Sequence, residues 1–137
     1  QNSYNMTIGN YFQNNDFIAT NVRSKISFAN SSYGTEGNFY STKHFIFGQC
    51  NFYCVGITSL SPKNDIKIGT LASDIRPYTN YSFIVRFNFS GNTNTWYRGM
   101  LTLSASGDVN FSSLEPSTVS GEAAIWIAYG EYFIYFK

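Results

Sequence analysis

The sequence predicts an all-β fold, an antiparallel β-sandwich of jelly-roll-like character, and three observations carry that expectation. Almost no window places apolar residues at i, i+3, i+4 and i+7, the spacing of an amphipathic helix. β-Branched and aromatic residues are dense, with Phe, Trp and Tyr at 19%. Gly, Pro, Asn or Asp cut these runs every ~8 to 12 positions, as turns do in sandwiches and barrels. At 137 residues the chain is sized for one domain, residues 1–137, with a core that needs no metal or disulfide framework.

The first half shows generic strand composition. "SKISFANSS", "NFYSTKHFIFG" and "FYCVGITSL" are expected as strands, joined by a glycine-rich loop from Tyr33 to Asn38. Cys50 and Cys54 are the only cysteines. In an extended strand, residues four apart lie ~13 Å from each other, whereas a bridge needs Cα atoms within ~7 Å. Either the segment turns sharply at Asn51–Phe52 or both thiols are free, and the second is favoured because free cysteine behaves as a small hydrophobe. With the single His44 they are too few for a four-ligand metal site.

The stretch "KIGTLASDIRPYTNYSF", residues 67–83, punctuates the chain with an arginine and a proline. Pro77 fixes its own φ and biases Arg76 towards an extended conformation. The pair is expected to launch a strand, with Arg76 tying loop carbonyls or a carboxylate such as Asp74. In "YSFIVRFNF", Tyr81, Phe83, Val85, Phe87 and Phe89 share one face, while Ser82, Arg86 and Asn88 share the other, interrupted only by Ile84. One core face and one mostly wet face follow.

Ser90 to Thr95 is expected as a polar loop tip, followed by a strand with Leu101, Leu103 and Ala105 on one side. Ser106-Gly107-Asp108 suits a tight hairpin turn, returning through Val109 and Phe111 to complete a three-stranded meander. "AIWIAYGEYFIYF" is expected as two strands around Gly130-Glu131. Its last arm, Tyr132 to Phe136, is apolar on both faces, and a second subunit is the simplest cover for the outer one.

Charged residues make up 12% of the chain and the net charge is +1, against a usual charged fraction of roughly 25%. That leaves no electrostatic footprint for nucleic acid. No stretch approaches the ~18 to 20 apolar residues of a membrane-spanning helix, so no membrane insertion is expected. The Gln/Asn-rich start, Gln1 to Asn5, reads as the continuation of a linker or stalk, which suggests a C-terminal fragment of a longer protein. Sequons at Asn5, Asn30, Asn80, Asn88 and Asn110 are what chance produces in a chain so rich in Asn, Ser and Thr.

Catalysis finds little support. P-loop, dinucleotide, nucleophile-elbow and paired-histidine motifs are all missing from the sequence, and the eight carboxylates are isolated, most of them beside turn residues. Neither a catalytic set nor a cofactor is therefore expected. Carbohydrate binding asks for aromatic faces that stack on sugar rings beside planar polar groups that bond to hydroxyls. "GNTNTWYRG" combines them in Asn92, Asn94, Trp96, Tyr97 and Arg98, and "SSYGTEGNFY" does so in Tyr33, Glu36, Asn38 and Tyr40. Packing and turn formation are the competing explanation for each residue taken singly.

"IKIGTLASDIRPYTNYSFIVRF", then "GMLTLSASGDVNF" and a short aromatic final strand, resembles the C-terminal head domains of phage tail fibres and baseplate receptor-binding proteins. Those domains carry an I-G-T-L-P-x-x-x-R-P turn and an I-x-x-x-G-x-V hairpin. The counterparts are Ile68-Gly69-Thr70-Leu71 with Arg76-Pro77, and Leu103 to Val109 around Gly107. The likeness covers residues 66–136 and departs at Ala72, where proline is common, so a different turn shape is expected there. It implies a β-sandwich that forms a homotrimer at a fibre tip, outside the cell or on a virion tail, and that recognises host cell-envelope saccharide, often between subunits. The arm Tyr132 to Phe136 would then face the threefold axis, and no site residue carries over. Two further functions compete: a polysaccharide-cleaving tip using carboxylates such as Asp74 or Asp108 from neighbouring subunits, and a protein-binding trimer of the C1q/TNF kind.

Overall fold

The computed structural model describes residues 14–57, 59–60, 65–115, 117–118 and 124–137. The linker-like start at Gln1 to Asn5 and the sequon at Asn5 lie outside them. Twelve strands occur among the described residues: β1 (Thr20–Asn21), β2 (Ile26–Phe28), β3 (Gly34–Thr35), β4 (Phe39–Ser41), β5 (Phe45–Val55), β6 (Ser59–Leu60), β7 (Asp65–Leu71), β8 (Tyr81–Phe89), β9 (Asn92–Leu103), β10 (Asp108–Ser113), β11 (Ser117–Thr118) and β12 (Ala124–Phe136). No α-helix occurs among those residues; three single-turn 3-10 helices punctuate the strands. Every pairing is antiparallel, so the all-β expectation holds. Ten strands form one sheet in the order β1-β4-β5-β12-β8-β9-β10-β7-β2 with β3 on β5, while β6 and β11 pair separately.

The two ends of the large sheet are held by one short piece of chain. β1 pairs with β4, and after four intervening residues β2 pairs with β7 at the opposite end. Between them the Val22 amide donates to the Phe39 carbonyl at 2.8 Å, and the Lys25 carbonyl accepts from the Ala72 amide at 2.9 Å. The sheet is therefore folded over on itself, with its concave side filled. One cluster includes Val22, Ile46, Phe52, Ile68, Ile75, Val85, Phe87, Leu101, Phe111 and Ile127, giving the structure its sandwich character.

Alternation in β8 is as expected up to Phe87: Val85, Phe87 and Phe89 are buried, Tyr81 and Phe83 half-buried, and Ile84 is 60% exposed, but Asn88, expected on the wet face, is buried at 4%. The meander β8-β9-β10 also forms, with Val109 and Phe111 both in the core. Two details differ. Ala105 is exposed in the hairpin turn, because β9 ends at Leu103. β12 is one long strand rather than two, paired with β5 on both sides of an irregularity between Ile127 and Glu131. A bulge absorbs the extra residues between Ile127 and Glu131 without ending the ladder.

Arg76 is extended at φ −76°, ψ 146°, and its Nε donates to the Leu71 carbonyl at 3.2 Å. Of the two partners expected for it, the loop carbonyl is the one it takes; Asp74 instead pairs with Lys25. Ala72 has φ −59°, a value proline adopts, so the departure from the family pattern does not force a different φ. What alanine adds is the N–H that bonds Lys25, and this amide ties the turn to the closing segment.

β5 runs straight through both cysteines and forms no bridge. Cys50 and Cys54 are 2% and 0% exposed, and burial pushes the Cys54 thiol up from 9.0 to about 12. A thiol reagent at pH 8 is expected to leave the native protein unmodified and to titrate two thiols in guanidinium chloride; reaction of the native form would contradict this burial. The raised folded value sets the sign of the alkaline response. Its stabilising contribution is complete below about pH 9 and is lost as pH rises towards 12. Tyr135, whose buried hydroxyl donates to the Ile75 carbonyl at 2.6 Å and whose ionisation burial also raises, acts with the same sign.

Candidate functional site

The closing segment leaves an open groove where it passes β3 and β5. Asn21, Arg23, Ser24, Phe28, Tyr33, Thr35 and Tyr53 line it, and its volume is about 650 Å³, within the range of small-ligand sites. Phe28, Tyr33 and Tyr53 are half-buried, and the first two pack against the core. Tyr53 lies directly beneath Gly34, where a Cβ would collide with its ring. Glycine thus lets β3 close onto an aromatic floor.

Polar groups surround that floor. Arg23 donates through Nη2 to the Thr35 carbonyl, which fixes the guanidinium across the groove while other donors remain on the same fork. Asn21 Nδ2 donates to Asn38 Oδ1 at 3.2 Å. Thr35 Oγ1 donates to the Asn51 carbonyl at 2.6 Å and accepts from the Gly37 amide. Desolvation raises the Tyr33 phenol above its ordinary value, with Cys54 as the lesser cause, so it remains an O–H donor at neutral pH.

The first predicted group divides around this groove. Tyr33 forms part of the wall, and Asn38 sits at the margin through Asn21. Glu36 is exposed outside it, its amide bonded to the Asn51 carbonyl at 3.2 Å. Tyr40 stacks on Phe47, with ring centroids 5.5 Å apart, and takes no part in the lining. Asn21, Arg23, Phe28 and Tyr53 were not singled out from the sequence. They come from two separate stretches, the closing segment and β5, and only the fold-over of the sheet assembles them.

The second group is not on a loop. β8 and β9 are joined by the two-residue turn Ser90-Gly91, so Asn92 to Arg98 belong to a strand. Its threonines suit extended backbone, and Asn88 Nδ2 reaches across to the Thr93 carbonyl at 3.3 Å. Asn92 and Asn94 are exposed, Asn92 bonding Thr95 Oγ1 at 3.0 Å. Tyr97 turns inward and stacks on Phe87 at 5.4 Å, which is a packing role. Trp96 and Arg98 leave the outer face; the Arg86 guanidinium lies over the Trp96 ring at 4.8 Å and covers one of its faces.

Two other surfaces bear on function. Among the described residues, no three His, Cys, Asp or Glu side chains gather as a metal site. A side-chain hydrogen bond from Lys25 holds the Asp74 carboxyl below its ordinary value, keeping it ionised and making it a poor general acid. The outer face of β12 exposes Tyr132, Ile134 and Phe136 at 77%, 55% and 70%. Across the β12–β5 ladder, Phe136 faces half-buried Phe45 and Ile134 faces half-buried Phe47, extending the apolar band. Tyr132 and Phe136 alone present ~150 Å² each, and the band reaches the ~300 to 600 Å² typical of functional patches.

No family model, curated protein or solved structure matches this chain.

Proposed function

We propose that this chain is a non-enzymatic receptor-recognition module that binds cell-surface carbohydrate in the groove beside β3. The observation that carries it is the lining: three half-buried aromatic rings with Asn21, Arg23, Ser24 and Thr35 around them, the combination that sugar rings and hydroxyls require. In keeping with the tail-fibre resemblance, the module works as a homotrimeric, jelly-roll-like tip outside the cell or on a virion tail. The apolar band on β12 supports self-association. It fits subunit contact better than sugar contact, because the side chains of Ile134, Phe136, Phe45 and Phe47 that make it up carry no hydrogen-bonding groups.

Titration against a panel of host-envelope oligosaccharides, with light scattering on the same preparation, tests both halves. Binding is expected, with a loss of about tenfold or more in Tyr33→Ala, the equivalent of ~1.4 kcal/mol, and a mass of three chains. Unchanged affinity in Tyr33→Ala removes the groove, and no binding to any glycan removes the module. A single-chain mass removes the trimer. Release of reducing ends would instead support a polysaccharide-cleaving tip, and capture of a protein partner insensitive to sugar a C1q/TNF-like one.

A further inference from the structure

Arg23 is the charged side chain of the groove beside β3, and none of the lining residues is Asp or Glu. Lys25, on the same closing segment, pairs with Asp74, while Lys43, Lys67 and Arg98 pair with Asp16, Asp108 and Glu115. Arg23 pairs with no carboxylate among the described residues. Its Nη2 donates to the neutral Thr35 carbonyl, and its amide donates to Asn21 Oδ1 at 2.9 Å. The protein positions this positive charge without cancelling it. Hydrogen-bonding capacity around the guanidinium has the same sense. Thr35 Oγ1 already donates to Asn51 and accepts from Gly37, and Asn21 commits its oxygen to the Arg23 amide and its nitrogen to Asn38. Among the described residues, the rest of the Arg23 fork and the hydroxyls of Ser24 and Tyr33 have no such partner, and burial keeps the Tyr33 hydroxyl protonated. A carboxylate accepts hydrogen bonds and donates none, so it complements this set.

The geometry points to a groove that selects an acidic sugar, its carboxylate seated on Arg23 and its ring against Phe28, Tyr33 and Tyr53. The inference rests on the carbohydrate reading of the groove and adds the class of sugar. A planar carboxylate matches a guanidinium fork, and its single negative charge balances the single cation. A phosphate monoester carries about −1.5 to −2 and would leave charge unbalanced beside half-buried rings, because no second cation lines the groove. Aromatic stacking supplies contact that acidic and neutral sugars share. Arg23 supplies the difference between them.

Calorimetric titration at low salt tests it with matched sugars: trigalacturonate and its methyl ester, sialyllactose and lactose, with poly(glycerol phosphate) as the phosphodiester arm. The proteins are wild type, Arg23→Gln, Arg23→Lys and Tyr33→Ala, each with its Tm. At least one acidic sugar should bind tenfold or more tighter than its uncharged counterpart, by a margin that shrinks as salt rises. Arg23→Gln should erase that margin, and Arg23→Lys, which retains the charge, should keep part of it. Tyr33→Ala should weaken acidic and uncharged sugars alike. Equal affinity for the two members of each pair, a margin that survives Arg23→Gln, no acidic sugar bound, or tighter binding of poly(glycerol phosphate) would overturn the proposal. An uncharged host glycan that is lost in Tyr33→Ala and untouched by Arg23→Gln sinks the acid preference and leaves the groove standing, so the two readings fail separately.

Discussion

Phe87→Ala should lower folding stability by ~3 to 5 kcal/mol, read as a shift of the denaturant midpoint at unchanged slope. Phe87 is 0% exposed and sits where three rings converge: Tyr97 stacked at 5.4 Å, and Phe111 and Phe89 edge-on at 5.1 and 6.0 Å. Those partners come from β8, β9 and β10, so truncation opens a void that no single strand can fill by shifting. Phe87→Leu keeps most of the volume and should cost less than half as much. A loss under ~1 kcal/mol for the alanine variant would show that the surrounding rings collapse into the space, contrary to the interior packing described above.

Gly107→Ala should cost ~3 kcal/mol or more, for two separable reasons. The first is backbone strain at φ 100°. The second is collision: a Cβ would lie 2.6 Å from Arg76 Nε and 2.9 Å from the Leu71 carbonyl oxygen, displacing the bond between them. Gly56 supplies the control, with a similar φ of 90° and nothing within 4 Å of its added Cβ. Gly56→Ala should therefore show the conformational cost alone, ~1 to 2 kcal/mol. Equal losses at the two positions would mean that Arg76 moves away without cost, and that the contact between "DIRPY" and the hairpin has little structural weight.

Legibility in the sequence followed the chemistry of each segment. β8 is readable because one side of it faces a core and the other faces water, so polarity records geometry at most of its positions, with Ile84 exposed and Asn88 buried against the pattern. The Gly107 turn was readable because few residues accept its backbone. Asn92 to Thr95 misled because both of their faces are exposed; a strand without a buried side has the composition of a loop. Gly130-Glu131 has the composition of a turn that would divide β12 in two, whereas the ladder with β5 carries the break as a bulge between Ile127 and Glu131. The groove was invisible for another reason: Asn21, Phe28 and Tyr53 are ordinary residues of short or amphipathic strands until chain closure brings them side by side. Tyr33 is legible because it lies in a glycine-rich loop beside polar neighbours, whereas Tyr97 and Tyr40, which also have polar neighbours in sequence, serve packing.

The segment from Thr20 to Phe28 acts on the sheet as a bivalent ligand acts on two receptors. Each contact is small, two residues on β4 and three on β7, and neither would hold an isolated peptide in water. The two share a tether of a few residues, so once one end is seated the other meets its edge at high effective concentration. Both edges of the sheet are therefore guarded by one cooperative event and are exposed together when it reverses. Because the same segment supplies Asn21, Arg23, Ser24 and Phe28 to the groove, ligand seated there would stabilise the closed edges by mass action, making recognition and protection of the strand edges a single linked equilibrium.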